Sequence, residues 1–384
     1  MKKRTICVVS GARSEYDLLF PILKKIVESK SLELQLIVTS SHLSSEFGMT
    51  YKKIEDDGFF INDKIENLLA SDTKSAIAKS SGLASILLSN SFEKLNPDAV
   101  LLLGDRSETH AAATSAMLMD IPIVHIHGGE ITEGSSDDKI RHSITKMSGL
   151  HFCSTEIHRQ RIIQMGEDPL NVFNSGAPGI DNIINSSLIL DKQLEEDLGL
   201  QFYNTSKTAL ITYHPEIMTK DSLIKDFNTI LECLFESKLN IVFTYANADS
   251  GGRRINQMIE DFCKQDLYKY KVFKNLGRIK YLSLMSYVDI LIGNSSSGII
   301  EAASFAKPVI NIGNRQKGRT KNLNVLDSNI KSLKSQIEIA LSDDFENKIY
   351  QMKNIYGDGR ASEIIIQKLE LHKFSVNKKF IDNV

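Results

Sequence analysis

The chain has 384 residues, too many for one ordinary hydrophobic core and suited to two α/β domains. Its 46 Lys and Arg against 48 Asp and Glu leave a formal charge of -2, so there is no broad basic surface for nucleic acid or an anionic membrane, and any phosphate must be held locally. The four cysteines, Cys7, Cys153, Cys233 and Cys263, are scattered without CxxC pairing, and no segment approaches the roughly 20 apolar residues of a bilayer span, so reduced thiols, no metal site and a cytoplasmic location are expected.

The basic start MKKRTICVVSG has too short an apolar run for a signal peptide and reads as a first strand over residues 5–10. It ends at Gly11-Ala12-Arg13, after which Leu18, Leu19, Ile22, Leu23 and Ile26 recur at helical spacing. Such a junction aims backbone N–H groups at an anion, and Arg13 can add a bidentate clamp. Without a complete GxGxxG it also reads as a surface arginine at a turn. Residues 34–39 make the next strand and deliver His42 to the same edge, where it either faces a ligand or serves the structure. Residues 51–97 read as helices covering the sheet.

An apolar run then ends in Gly104-Asp105-Arg106, at the kind of edge where open α/β sheets place ligands. After an Ala-rich helix, a buried strand over 121–126 leads into a Gly-Gly corner carrying His127 and Glu130, and Asp137-Asp138 opens another helix. Strands at 150–153 and 172–175 bring the first half to six parallel strands, a Rossmann-like, doubly wound domain. The polar stretch 182–207 holds the hinge. The second half repeats the design, with strands at 209–212, 241–245, 270–273, 290–292 and 309–312 whose loops share one face. From residue 330 the chain reads as helices, and the last, about 365–384, is expected to cross back, giving domains 1–181 with that helix and 182–364.

In the second half, GNSSSGIIEAA sets several hydroxyls and small residues ahead of a helix, so the loop suits a phosphate and Glu301 a ribose diol. The bland alternative is a serine N-cap followed by an acidic residue that the helix dipole favours. His214 and Arg315 end neighbouring strands and can add diphosphate contacts, while Asn247 can read a polar group on the nucleotide or its sugar. In the first half Asp105 and Glu130 suit general acid/base work. Asp137 is either a further acid or a helix N-cap. Of the alternating His125 and His127, one suits the core, and His127, beside the glycines, is the better placed to reach a ligand.

GARSEYDLL, LLLGDRSE, HIHGGE followed by DDKIRHSITKMSGLHF, NADSGG, GNSSSGIIEA and PVINIGNRQKGR together resemble the hydrolysing UDP-N-acetylglucosamine 2-epimerases over nearly the whole chain. The resemblance is strongest to the bacterial branch that feeds nonulosonic-acid synthesis, sialic or legionaminic, some of whose members act on UDP-N,N'-diacetylbacillosamine. It implies a GT-B fold, two Rossmann-like doubly wound domains with a cleft between them, and UDP held mainly by the second. A homodimer or homotetramer with no organic cofactor or catalytic metal is also implied. Arg13, His214, Asn247, Ser295, Ser296, Glu301 and Arg315 match the family's nucleotide contacts, and Asp105 and Asp137 match residues implicated in catalysis, with Arg106 beside the first. Where many members read HIEGGE, this chain has His127 in place of the first glutamate. Either His127 or Glu130 then takes that proton-transfer role.

The reaction implied is elimination of UDP to a glycal, followed by hydration to a free manno sugar. Rival expectations are a GT-B glycosyltransferase, a non-hydrolysing epimerase and a non-catalytic nucleotide-sugar sensor.

Overall fold

The computed structural model describes residues 3–71, 73–133, 136–200, 206–216, 220–246 and 251–382, and the apolar runs of the sequence are its strands. The chain divides into two units, Met1–Asn182 with Tyr356–Val384, and Ile183–Ile355. Its return to the first unit comes at Tyr356, earlier than the expected position near 365.

The first unit carries β1 (Arg4–Ser10), α1 (Arg13–Glu28), β2 (Leu32–Thr39), α2 (Tyr51–Asp56), β3 (Asp63–Ile65), α3 (Lys74–Leu95), β4 (Ala99–Leu103) and α4 (Ser107–Leu118). It continues with β5 (Ile123–Ile126), α5 (Ser136–Met147), β6 (Leu150–Cys153), α6 (Glu156–Gln164), β7 (Val172–Asn174) and α7 (Pro178–Ile184), whose end passes into the second unit. The strands lie in the order β3-β2-β1-β4-β5-β6-β7, all parallel, with Ile6 beside Ala99 and Leu103 beside Ile126. A parallel sheet is covered on both faces, and the alternation along β1 sorts the layers. Ile6 and Val8 pack with Leu19, Ile22, Leu23 and Ile26 of α1, whereas Cys7 and Val9 pack with Ala84, Leu88 and Phe92 of α3 and Ala111, Ala112 and Ala116 of α4.

The second unit carries α8 (Asp191–Leu198), β8 (Thr208–Thr212), α9 (Lys220–Glu236), β9 (Asn240–Thr244), α10 (Gly252–Cys263), β10 (Tyr270–Phe273) and α11 (Gly277–Tyr287). β11 (Ile290–Gly293), α12 (Ser296–Ile300), β12 (Val309–Ile312), β13 (Val325–Ser328), α13 (Leu333–Ala340) and α14 (Asp343–Ile349) complete it. Its parallel sheet runs β10-β9-β8-β11-β12-β13. The order reverses between β1 and β4 in the first sheet and between β8 and β11 in the second. Loops leaving the carboxyl ends of these four strands therefore diverge at the crevices where such sheets bind ligands.

Three elements depart from the sequence reading. β3 and β13 are edge strands missing from it, because DKI and VLDS hold too few apolar residues to show a period. Residues 191–198, placed in the hinge, form a helix that buries Leu194 and Leu198.

α15 (Ala361–Leu371) returns to pack on α1, and its Ile365 and Leu369 join the layer under β1. Its N-terminus is capped from elsewhere in the chain: the buried Asp181 carboxylate accepts the N–H groups of Ala361 (2.9 Å) and Ser362 (2.7 Å). The segment beyond α15 is not helical, against expectation. It runs back to α5, where Lys378 Nζ donates to the carbonyls of Thr145 (3.2 Å), Lys146 (2.8 Å) and Ser148 (2.7 Å) and pairs with Glu167 at 2.5 Å. Gly166 sits so close to the Phe380 ring that a Cβ there would lie 2.4 Å from it.

Burial alone would push the Glu167 carboxyl up, but hydrogen bonds from His151, Lys146 and Lys378 outweigh it and hold the group at about 2, below its ordinary 4.5. A depressed carboxyl contributes stability above its unfolded value and loses it as pH falls through the folded one. Lys378→Ala is therefore expected to lower unfolding free energy at pH 7 by about 1–3 kcal/mol, the scale of a hydrogen bond to a charged group, as read by urea titration. The deficit should shrink as pH drops below 4.5 toward 2. A deficit independent of pH would remove Glu167 from the account.

Candidate active site

On the first unit, β4 ends at Leu103, and the positive φ of Gly104 (84°) turns the chain so that Asp105 and Arg106 stand at the sheet edge. Asp105 is met by Arg141 of α5, whose guanidinium is among the largest fully buried side chains in the protein. The same guanidinium donates to the Glu130 carbonyl (3.0 Å) and Thr132 Oγ1 (3.1 Å) and lies 3.7 Å from Asp138 Oδ1. Asp138 in turn accepts Thr132 N–H at 2.7 Å. One buried cation thus gathers the ends of β4 and β5 and the first turns of α5, a hub the sequence reading did not assign. Its only sequence signal was the spacing within DDKIRH, which puts Asp138 and Arg141 on one helix face.

β5 runs out through His127, whose φ of +66° lies in the left-handed region that non-glycine residues rarely adopt. Gly129 follows at φ +76°, and a Cβ there would lie 2.3 Å from the His158 carbonyl, so only glycine lets the loop rest on α6. In this corner His127 Nδ1 and Glu130 Oε1 are 2.6 Å apart, both residues are buried, and Glu130 Oε1 also accepts from Ser154 Oγ at 3.0 Å. Among the described residues, His127 Nε2 is buried without a hydrogen-bond partner. A carboxylate accepts only, so His127 donates from Nδ1, and in the neutral imidazole this leaves Nε2 as the nitrogen with the lone pair, the arrangement of a general base oriented by an acid. His125 is the core histidine of the pair: Nε2 meets Gly104 O at 2.8 Å, Nδ1 meets Thr145 Oγ1 at 3.2 Å, and burial pushes it down to about 3.

The other first-unit candidates fare differently. Asp137 is exposed at the second position of α5, which opens at Ser136. Arg13 opens α1 with Asp17 at 3.7 Å and stays partly exposed. Arg106 pairs with Glu108 (2.9 Å) and Glu15 (3.8 Å) and is about half-exposed. Glu15, unassigned from sequence, accepts Gly11 N–H at 2.7 Å, so the start of α1 already holds a carboxylate of its own chain. Burial chiefly, against Arg106 and with Glu108, pushes that carboxyl up to about 7. His42 corrects an expectation. It is fully buried, its ring nitrogens meet Ser10 Oγ (2.9 Å) and Thr50 Oγ1 (2.8 Å), and burial lowers it to about 4, so it pins the core and offers no nitrogen to a ligand.

On the second unit the edge is built by Gly293, whose φ of 144° sets its Cα where a Cβ would lie 2.0 Å from Thr212 O. Asn294 then clasps the end of β8: its Oδ1 accepts His214 N–H (2.7 Å) and its Nδ2 donates to His214 O (2.8 Å). The Asn294 carbonyl also accepts from Arg315 Nη1 (3.4 Å) and Gln316 Nε2 (2.8 Å), so one asparagine aligns the His214, serine and Arg315 loops. Burial first, then Arg315, lowers His214 to about 3 and keeps it neutral. Ser295 caps α12, and Tyr281 Oη lies 2.6 Å from Ser297 Oγ, which is 3.0 Å from Ser295 Oγ. Ser296 is half-buried at the first position of α12, and Glu301 follows its last, where the chain turns into a 3₁₀ turn instead of continuing the helix. Asn247 lies outside the described residues. Asn294 and Tyr281 were not assigned from sequence. Among the described residues, no three His, Cys, Asp or Glu side chains gather to hold a metal ion.

Comparison with known proteins bears on these rims. A family model described as UDP-N-acetylglucosamine 2-epimerase matches residues 24–370. The chain is 45% identical over 347 residues, 90% of each chain, to the GDP/UDP-N,N'-diacetylbacillosamine 2-epimerase (hydrolyzing) of Campylobacter jejuni. It is 36% identical over 378 residues, 98% of each chain, to the UDP-N,N'-diacetylbacillosamine 2-epimerase (hydrolyzing) of Legionella pneumophila. The solved structure of UDP-GlcNAc 2-epimerase from Neisseria meningitidis, bound to UDP-GlcNAc, superposes with a TM-score of 0.78 over 95% of this chain and 99% of that one, at 19% identity, a likeness of fold.

Removing the Arg141 guanidinium leaves Asp105 and Asp138 facing each other without it. Arg141→Met is expected to destabilise the protein by about 3–5 kcal/mol in denaturant titration, the cost of breaking a buried ion pair from one side. A loss below about 1 kcal/mol would show that the hub is solvated.

Proposed function

The chain belongs to the UDP-N-acetylglucosamine 2-epimerase family, and from that membership we propose that it is a hydrolysing 2-epimerase whose substrate is UDP-N,N'-diacetylbacillosamine in preference to UDP-N-acetylglucosamine. The names of the two curated relatives, which together align with nearly all of the chain, support that sugar. The observation that carries the chemistry is the bare, buried His127 Nε2 backed by Glu130.

In the reaction, His127 takes the C2 proton at Nε2 while the C1–oxygen bond to the diphosphate breaks and its electron pair leaves with UDP. The product of this step is a glycal. Water then gives its hydroxyl to C1, and C2 receives a proton on the opposite face, releasing the free manno-configured sugar. Glu130 orients His127 and stabilises the imidazolium that forms. Asp105 and Asp137 serve the hydration, the first held in place by Arg141. The serine loop with Ser295 and Ser296, together with His214, Arg315 and Arg13, holds the charge that develops on the departing diphosphate, and Glu301 takes the ribose. Arg106 and Asn247 belong to substrate binding in the same reading.

The free product is a precursor from which a sialic or legionaminic acid can be built. A homodimer or homotetramer in the cytoplasm completes the proposal. It accords with the four free cysteines and with the finding that no helix among the described residues is long and apolar enough to cross a membrane.

The test is product identification by mass spectrometry and NMR after incubation with UDP-N-acetylglucosamine, UDP-N,N'-diacetylbacillosamine and the GDP-linked form of the latter, without acceptor. One equivalent of UDP and a free 2,4-diacetamido-2,4,6-trideoxymannose are expected from the second. An equilibrium mixture of UDP-sugars, or no turnover without an acceptor, would replace the reading with a non-hydrolysing epimerase or a glycosyltransferase. His127→Gln should lower turnover by about 10²–10⁴-fold, the contribution of a positioned acid or base, with UDP affinity by calorimetry unchanged. Full activity would move the proton transfer elsewhere.

A further inference from the structure

Glu130 Oε1 is held from two sides, by His127 Nδ1 at 2.6 Å and by Ser154 Oγ at 3.0 Å. Ser154 is the residue after β6, and its Oγ lies 3.0 Å from His158 Nδ1 on α6. All four side chains are buried. Counting protons gives the chain a direction. Ser154 has one hydroxyl hydrogen and spends it on the Glu130 carboxylate, so toward His158 its oxygen accepts, and His158 carries hydrogen on Nδ1. The row therefore reads His158 to Ser154 to Glu130, with His127 donating from the other end.

We propose that Ser154 and His158 are positioning residues for the reaction: they fix the rotamer of the Glu130 carboxylate and through it the tautomer and aim of His127. The proposal rests on the reading of His127 as the proton-transfer group. The corner is also seated through its main chain, independently of these two side chains. Gly129 rests on the His158 carbonyl, Arg161 Nη1 donates to Gly129 O at 3.2 Å, and His127 N–H donates to Phe152 O at 2.9 Å. The hydroxyl presents a donor to Glu130 Oε1 opposite the base, and the second imidazole, whose ring also lies 6.2 Å from that of Tyr356, supports the hydroxyl from behind. Without the hydroxyl the Glu130 carboxylate loses the restraint opposite His127, and His127 can place its proton on either nitrogen.

The experiment is steady-state kinetics of the full chain with UDP-N,N'-diacetylbacillosamine and with UDP-N-acetylglucosamine, joined to NMR of enzyme carrying ring-15N histidine, in which His127 is assigned by its absence in His127→Gln. Ser154→Ala should lower kcat by about 10-fold or more while KM stays within about twofold, and Ser154→Thr, which keeps the hydroxyl, should restore it. His158→Asn, whose amide nitrogen can stand where Nδ1 does, should retain activity, and His158→Leu should match Ser154→Ala. In the wild type His127 Nε2 should resonate as a bare nitrogen, and in Ser154→Ala it should move toward the average of two tautomers. The His158 pair carries the same comparison if Ser154→Ala does not fold. Wild-type kcat and an unchanged spectrum in Ser154→Ala, or equal losses in the threonine and alanine variants, would overturn the proposal. An active His127→Gln overturns the underlying reading as well, whereas an inactive His127→Gln beside a wild-type Ser154→Ala removes only the relay.

Discussion

A guanidinium out of reach of water must be surrounded by acceptors, and Arg141 has drawn its own from three segments that are distant in sequence: Asp105 after β4, the Glu130 carbonyl and Thr132 after β5, and Asp138 one turn earlier on α5. The rest of the first-unit rim depends on that requirement. It holds Asp105 at the sheet edge, it anchors the far end of the loop that begins at His127, and it orients the helix carrying Asp137. The same interaction pairs Asp105 with a buried cation, whereas His127 Nε2 has no hydrogen-bond partner among the described residues.

Both units solve the problem of presenting polar groups at the end of a buried parallel strand in the same way. A glycine comes first: at Gly129 and Gly293 a Cβ would meet main chain, and Gly104 takes a positive φ that glycine favours. A side chain that bonds main chain across the neighbouring strand then locks the loop. His125 does this for Gly104, and Asn294 does it for His214. The two rims differ in charge: the first holds carboxylates around a buried cation, and the second offers hydroxyls, a neutral histidine and Arg315. That difference suits proton transfer on one and an anionic nucleotide on the other.

The strands that are buried on both faces were legible from sequence because a run such as AVLLL has no alternative environment. Edge strands β3 and β13 were not, since their stability comes from pairing with β2 and β12 and not from their own pattern. For the site, residue type and loop position brought Asp105, His127, Glu130 and the serine loop forward, but they do not say whose nitrogen or oxygen is already taken. His42 looks like His127 in a sequence, a histidine just past a strand. Both rings are buried, but Ser10 and Thr50 take both nitrogens of His42, whereas Glu130 takes only Nδ1 of His127. Arg141 was hidden for the opposite reason, because helical spacing marks a salt bridge with Asp138 and gives no hint of the loops that close over it.

The central claim is that C2 of the sugar gives its proton to the protein and receives another from solvent, and the isotope content of the product measures this directly. Turnover of UDP-N,N'-diacetylbacillosamine in D2O, followed by proton NMR of the released sugar, should give a manno product with one deuterium at C2. A gluco-configured product that keeps its C2 protium would show hydrolysis at C1 without epimerisation and would contradict the account.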